Sequence, residues 1–345
     1  MKALLTQVTR TVAVEEIPVP SITADEILIR TVAVAQNPTD WQYIDLVTNV
    51  GTICGCDFSG HVAEVGSNVR DVAIGDHVAG FVHGGNYKDR GAYAEYIKTD
   101  PDLVWKVPPG TLTYAQAATM GCAFWTAAQG LFHPMRLGLT HPAAKVTSDE
   151  WIFVDGGSTS VGMFALQLAH VAGYKVITVA GPKNHDLCKS YGADVVLDYK
   201  DPEVISKIKE TTHDSLHLAY DTISQLQSQM FTAKCMAPGA GKFVVIQPPQ
   251  KAAQAIREDV KIIHTLIYTS GGREFTLGKH YPVSPEDRAH MAAFLKEVPD
   301  LVQSGAVKPN PVKLWTGGLE GIKEGLQYMR DGKNSAEKIV YRIAN

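Results

Sequence analysis

From about residue 150 the chain alternates short apolar runs with longer stretches of mixed character. The runs are WIFV (151–154), KVITVA (175–180), DVVLDY (194–199), LHLAYD (216–221) and KFVVIQ (242–247). Between the first two, Val161, Phe164, Ala165, Leu168, Ala169 and Ala172 recur at the spacing of one helical face. Apolar strands joined by such helices predict an α/β domain with a parallel, doubly wound sheet. The first 125 residues follow another rhythm: EILIRTVAVA (26–35) is β-rich, GHVAEVGSNV (60–69) and GDHVAGFV (75–82) carry Gly and Asp turns, and GAYAEYIKTD (91–100) alternates. Short strands with glycine-bearing turns predict a twisted antiparallel or barrel-like domain. After about residue 275, helices are expected over 286–305 and 318–332, and a last strand over 337–343. A terminal strand returns most economically to the first domain's sheet, which would leave the α/β segment inserted between two parts of one discontinuous domain.

The strand WIFV runs directly into GGSTSVG (156–162) and then a helix. That order gathers backbone N–H groups and the positive end of a helix dipole at one point, which suits a pyrophosphate. Gly156 and Gly157 permit a tight turn, and Gly162 lets the helix approach the strand. Spacing alone is weak evidence, since GxGxxG is absent; the strand and helix context carries the reading. Ser158, Thr159 and Ser160 add hydroxyl donors, with Val161 following. At the end of the second strand, where an NAD enzyme places an acid for the ribose 2′-OH, the chain reads VAGPKNHDLCK (179–189). Lys183, Asn184 and Lys189, with Tyr199 from the next strand, form a neutral-to-cationic set that favours the 2′-phosphate of NADPH over NADH.

Composition adds limits rather than a function. The 345 residues carry 32 Lys and Arg against 36 Asp and Glu, a net charge of −4, so no basic footprint calls for nucleic acid or an acidic membrane surface. No stretch of about 18 apolar residues and no apolar leader is present, and a soluble, cytoplasmic protein is expected. Five scattered cysteines without a CxxC pair read as reduced core residues.

Taken in order, AQNPTDW (35–41), GCDFSGHVAEVGSNV (55–69), IGDHVAGF (74–81), GAYAEY (91–96), GGSTSVG, YGADVVLDY (191–199) and AEKIVYR (336–342) resemble the medium-chain dehydrogenase/reductases over nearly the whole chain. Within them the chain is most similar to the zinc-free quinone-reductase and enoyl-reductase branch, and above all to the fungal trans-acting enoyl reductases, such as that of the lovastatin pathway. The resemblance implies a GroES-like catalytic domain over 1–125 and 271–345, a Rossmann NADP-binding domain over 126–270, and a cleft between them holding NADPH/NADP+. It places Thr39, Asp40, Trp41 and Gln42 near the nicotinamide, gives Thr126, Gly157 to Val161, Ile246, Gln247 and Ile339 cofactor contacts, and makes Gly181, Pro182, Lys183 and Asn184 with Tyr199 the 2′-phosphate pocket. It makes His264, Thr265, Leu266, Ile267 and Tyr268 a substrate border. Trp41, Phe124, Trp125 and Phe132 join them as an apolar lining. One departure is Gln42, where the resemblance leads one to expect a lysine.

Zinc-dependent relatives use Cys, His and Cys as catalytic ligands. The corresponding positions here are Asn37, Cys56 and Cys122, and no four-cysteine run follows in YAEYIKTDPDLVWKVPPG (93–110), so no metal is expected. His61, His77 and His83 read as surface or packing histidines. Without a metal to polarise a carbonyl, conjugate reduction is favoured: hydride to the β-carbon of an α,β-unsaturated carbonyl, then protonation at the α-carbon, for which Tyr43 offers a phenol. The substrate would be a free enone or an enoyl chain on a carrier protein, with a polyketide synthase as possible partner, and the protein a monomer or homodimer. The alternatives are an NADPH:quinone oxidoreductase and a non-catalytic NADPH-binding protein of crystallin type.

Overall fold

The computed structural model describes residues 1–46 and 49–344. Two compact units emerge, one made of Met1–Trp125, Tyr268–Gly305 and Pro309–Asn345, the other of Thr126–Ile267 with Ala306–Lys308. The chain first lays down β1 (Lys2–Thr6), β2 (Val12–Glu16), β3 (Ile27–Ala35), β4 (Asp57–Val65), β5 (His77–Phe81), β6 (Tyr96–Thr99) and β7 (Val104–Lys106). Helix α1 (Pro38–Leu46) follows β3, while α2 (Tyr114–Ala118) and α3 (Cys122–Phe132) follow β7. Thr113 opens α2 with a reciprocal capping box to Gln116, which explains why a five-residue helix starts there.

The second unit is built from β8 (Trp151–Asp155), α4 (Ser160–Val171), β9 (Lys175–Ala180), α5 (His185–Ser190), β10 (Val195–Asp198), α6 (Val204–Thr211), β11 (Leu218–Asp221), α7 (Leu226–Cys235), β12 (Gly241–Val245), α8 (Lys251–Gln254) and β13 (Val260–His264). Its six strands are all parallel in the order β10-β9-β8-β11-β12-β13, the 3-2-1-4-5-6 order of a Rossmann sheet. The core of β8, β9 and β11 is apolar on both faces, as a sheet covered by helices on each side requires. Helix α4 departs from the one-sided pattern: Gly162 to Ala169 are all buried, and even Gln167 is enclosed, exchanging hydrogen bonds with the backbone of Lys308. The sequence reading missed β13; VKIIH is short and half-buried, and edge strands carry a weaker periodic signal.

The first unit resumes with β14 (Phe275–Leu277), β15 (Lys279–Tyr281), α9 (Pro285–Leu295), α10 (Val298–Gln303), β16 (Val312–Trp315), α11 (Gly318–Arg330) and β17 (Lys338–Arg342). The single helix expected over 286–305 is two, since Pro299 in the first turn of α10 lacks the N–H a continuous helix needs. The main sheet runs β16-β17-β3-β4-β5-β7, with β6 also pairing β3, and β17 lies antiparallel to β3. Between them Tyr341 donates its hydroxyl to the Gln36 side chain.

Charge fastens the returning segment. Glu26 is buried and ion-paired with Arg90, Arg273 reaches both Glu26 and Asp100, and Arg288 binds Asp100 (2.9 Å) and Asp102 (2.7 Å). Burial alone would raise the Glu26 carboxyl, but the Thr23 N–H and the Arg90 hydrogen bond and charge outweigh it and hold it at about 2. A carboxylate depressed in this way stabilises the fold fully above its usual value of about 4.5, and that contribution is lost as pH falls toward 2. Glu26→Gln leaves Arg90 buried without its charge partner and is expected to cost about 3 kcal/mol at pH 7 in urea unfolding. The difference from wild type should shrink below pH 4.

Candidate functional site

In the second unit, β8 delivers the chain into the glycine loop. Gly156 adopts φ +80°, a conformation that favours glycine. A Cβ on Gly157 would lie 2.3 Å from Thr178 Oγ1, and one on Gly162 would lie 2.2 Å from the Gly156 carbonyl. The glycines thus serve close approach, as expected. Thr159 differs from expectation. Its Oγ1 accepts the Gly162 N–H (2.8 Å) and so caps α4, and it also bonds Thr222 Oγ1 (2.9 Å), whose own hydroxyl lies 2.7 Å from the Asp155 carbonyl. The hydroxyl read as a phosphate donor is first an N-cap, a role that Ser and Thr fill because their oxygen reaches the N3 amide. Ser158 and Ser160 stay half-buried beside it, at the positively polarised start of α4.

At the end of β9, Gly181 leads into a 3-10 turn of Pro182, Lys183 and Asn184. The ring of Tyr199 lies beside Gly181, 3.8 Å from where a Cβ would stand, and is 55% exposed. Tyr199 sits just past β10 rather than in it. Lys200, which sequence reading passed over, places its ammonium over that ring at 5.6 Å. Lys183 and Lys189 are exposed, and Asp198, paired in register with Ala180, turns Oδ1 to the Lys200 N–H. Ile246 and Gln247 lie immediately after β12, and Thr126 is buried with its carbonyl accepting the Tyr220 hydroxyl (2.7 Å). His264 ends β13, and Thr265 is buried, donating to Gln129 (2.6 Å). Leu266 is half-buried, Ile267 is buried, and Phe132 packs against His141 with the rings tilted at 52°.

In the first unit, α1 carries Thr39 to Tyr43. Asp40 turns inward: Oδ2 accepts the Asn37 N–H and the Tyr93 hydroxyl, both at 2.7 Å, and burial raises its carboxyl to about 7 despite those bonds. It is an internal brace for α1. Ile339 is likewise fully buried in the core of this unit, so its side chain serves packing. Trp41 lies under the Arg330 guanidinium (5.4 Å), and Gln42 is half-buried. Tyr43 meets Tyr268 through His83, a residue the sequence reading left as packing, and Thr39 meets Tyr268 directly. Tyr43 Oη is hydrogen-bonded to His83 Nε2 (3.0 Å), the His83 ring stacks on Tyr268 (3.8 Å, 13°), and Tyr268 Oη is bonded to Thr39 Oγ1. Burial lowers His83 to about 3, so the imidazole is neutral near pH 7, and burial raises both phenols. Trp125 packs on Phe81 and Phe124 on Phe294, both wholly buried.

Nearby, Lys338 is 1% exposed and Asp57 0%. Their charges meet at 3.0 Å, the Lys338 ammonium also donates to Asn37 Oδ1, and Asp57 Oδ1 takes the Cys122 N–H (2.6 Å).

Two family descriptions match the chain, "Alcohol dehydrogenase GroES-like domain" over residues 23–109 and "Zinc-binding dehydrogenase" over 160–275. The trans-enoyl reductase ACTTS2 of Alternaria alternata is 37% identical over 99% of this chain and 98% of its own length. The chain belongs to the medium-chain dehydrogenase/reductase superfamily. A zinc-type alcohol dehydrogenase-like protein of Schizosaccharomyces pombe is 36% identical over 96% of each chain. The CurK enoyl reductase structure superposes with a TM-score of 0.77 at 19% identity, covering 99% of this chain and 98% of that one, which shows the shared medium-chain dehydrogenase/reductase fold.

The zinc in one family description does not suit the residues of this medium-chain dehydrogenase/reductase. A catalytic zinc takes three protein ligands, and among the described residues no group of three His, Cys, Asp or Glu side chains could hold a metal ion. Asn37 already accepts the Lys338 ammonium, a cation where a second cation would have to sit. The donor set therefore does not fit a zinc ion.

Because Gly162 touches the Gly156 carbonyl, Gly162→Ala must push α4 away from the loop. The expected cost is about 1–3 kcal/mol, read as a thermal midpoint several degrees lower.

Proposed function

We propose that this protein is an NADPH-dependent reductase of the C=C bond of α,β-unsaturated carbonyls. The observation that carries the cofactor half is the β9 end, where Lys183 stands in the turn after Gly181, the Tyr199 ring lies beside Gly181, and the Lys200 ammonium lies over that ring while Asp198 turns Oδ1 to the Lys200 N–H. Such a set receives a 2′-phosphate, while Ser158, Ser160 and the first-turn amides of α4 suit the pyrophosphate. The reaction half rests on relatives whose names specify trans-enoyl reductases and which match nearly the whole chain.

When bound, the dihydronicotinamide supplies a hydride for the β-carbon. The protein's residues then orient the substrate and deliver a proton to the α-carbon. In this proposal Tyr43 is the donor: burial keeps its phenol protonated until a strong base, the enolate, forms, and neutral His83 is bonded to the same oxygen. Thr39 and Tyr268 form the adjoining polar edge. The substrate is an enone or an enoyl chain on the carrier domain of a polyketide synthase.

NADPH oxidation followed at 340 nm across enoyl thioesters, free enones, quinones and aldehydes tests the reading. Turnover of enoyl thioesters or enones is expected, and turnover confined to quinones would replace it. Lys183→Ala together with Lys189→Ala should raise KM for NADPH by roughly 10-fold or more while leaving KM for NADH nearly unchanged. Tyr43→Phe should lower kcat by about 10²-fold with little change in KM.

A further inference from the structure

The floor of the glycine loop contains two carboxylates. Asp155 ends β8 and Asp221 ends β11, and the parallel register sets them directly opposite each other. Both are buried, at 6% and 0% exposure, and neither has an ion-pair partner among the described residues. Asp221 is well supplied with donors: Oδ1 accepts the N–H groups of Ile223 (2.9 Å) and Ser224 (2.7 Å), and Oδ2 accepts Ser228 Oγ (2.8 Å). Asp155 has only a long bond from Thr232 Oγ1 (3.4 Å) and the Gly156 N–H. The other titratable group facing Asp155 is Cys235 on α7, and Lys209 on α6 faces that thiol while its ammonium lies 3.6 Å from Asp214. No cation offsets the pair.

Two buried carboxylates this close do not both ionise readily, and one proton is held between them at a pH where an isolated Asp has lost its own. Burial raises both groups, and the Asp221 charge raises Asp155 further. The pair is coupled to the loop by covalent continuity, since Asp155 precedes Gly156, and by the Thr222 bridge that joins the Asp155 carbonyl to the capping hydroxyl of Thr159.

We propose that dinucleotide binding at this loop draws a proton onto the Asp155 and Asp221 pair, so that the cofactor is held more tightly as pH falls. The proposal rests on the assignment of the loop to NADPH. A pyrophosphate seated on these amides brings negative charge next to carboxylates that lack a counterion, and protonation relieves the repulsion. Linkage of one proton changes the dissociation constant by up to tenfold per pH unit. Asp155 is a positioning residue here; it acts on the cofactor through the loop and its charge.

The test is calorimetric titration of the full chain with NADPH between pH 6 and 8, in buffers of different ionisation enthalpy, which counts protons taken up. The wild type should take up about half a proton to one proton near pH 7, and Asp155→Asn clearly fewer, with a flatter dependence of Kd on pH. Titration of the 2′-phosphate near pH 6 is common to both proteins and cancels in the difference. NADH, which lacks that phosphate, should still draw a proton onto the wild type. Asp221→Asn, whose side-chain oxygen keeps both backbone donors, serves as a second variant should the first fold poorly. Equal proton counts in wild type and variant, or NADH binding without uptake, overturn the coupling and leave the NADPH assignment standing. Failure of the wild type to bind NADPH at all overturns both.

Discussion

The first unit depends on a single ammonium group. Lys338, on the closing strand, has no access to water, so its charge must be met inside the protein, and Asp57 on β4 and the Asn37 side chain meet it. Asp57 in turn receives the first amide of α3, and Asn37 stands immediately before α1. Strand, sheet and two helix starts are therefore brought to one point by one pair of charges. A buried ion pair of this kind contributes little net stability against an apolar replacement, yet removing either partner strands the other in a low-dielectric interior. It specifies the arrangement more than it strengthens it.

The second unit handles buried charge differently. In the first unit each strongly buried carboxylate involved in holding segments together has a cation or a hydroxyl beside it, as Glu26 has Arg90 and Asp40 has Tyr93. Beneath the glycine loop, Asp155 and Asp221 have only neutral donors. Local rules of this kind are broken mostly where a ligand is to be bound, because a site built to respond to charge cannot already be fully satisfied.

Much of the architecture was legible because period carries it. Apolar runs of four to six residues separated by helix-length segments specify a covered parallel sheet, and Gly162 has the close approach expected of it, since a Cβ there would lie 2.2 Å from the Gly156 carbonyl. What escaped the reading depends on partners distant in sequence. His83 is meaningful only beside Tyr43, forty positions earlier, and beside Tyr268. Asp155 meets Asp221 through the register of two strands, and no local pattern announces that pairing. The inward turn of Asp40 follows from Tyr93, fifty-three residues on. Thr159 is the exception: a threonine directly before a helical pattern is a readable N-cap, and attention to phosphate obscured it.

Sheet order also sets the sequence of events during synthesis. The parallel sheet of the second unit has all its strands once residue 264 has emerged, and the Lys308 contact that closes over α4 follows soon afterwards. The sheet of the first unit begins with the earliest residues but cannot be finished until β17 pairs with β3, about three hundred positions later. Domains usually complete themselves from the N-terminus onward as the chain is made. Here the inserted unit can mature while the outer one, with β3 already paired to β4 and β6, still exposes the Ala33–Ala35 edge of β3 until the last residues arrive.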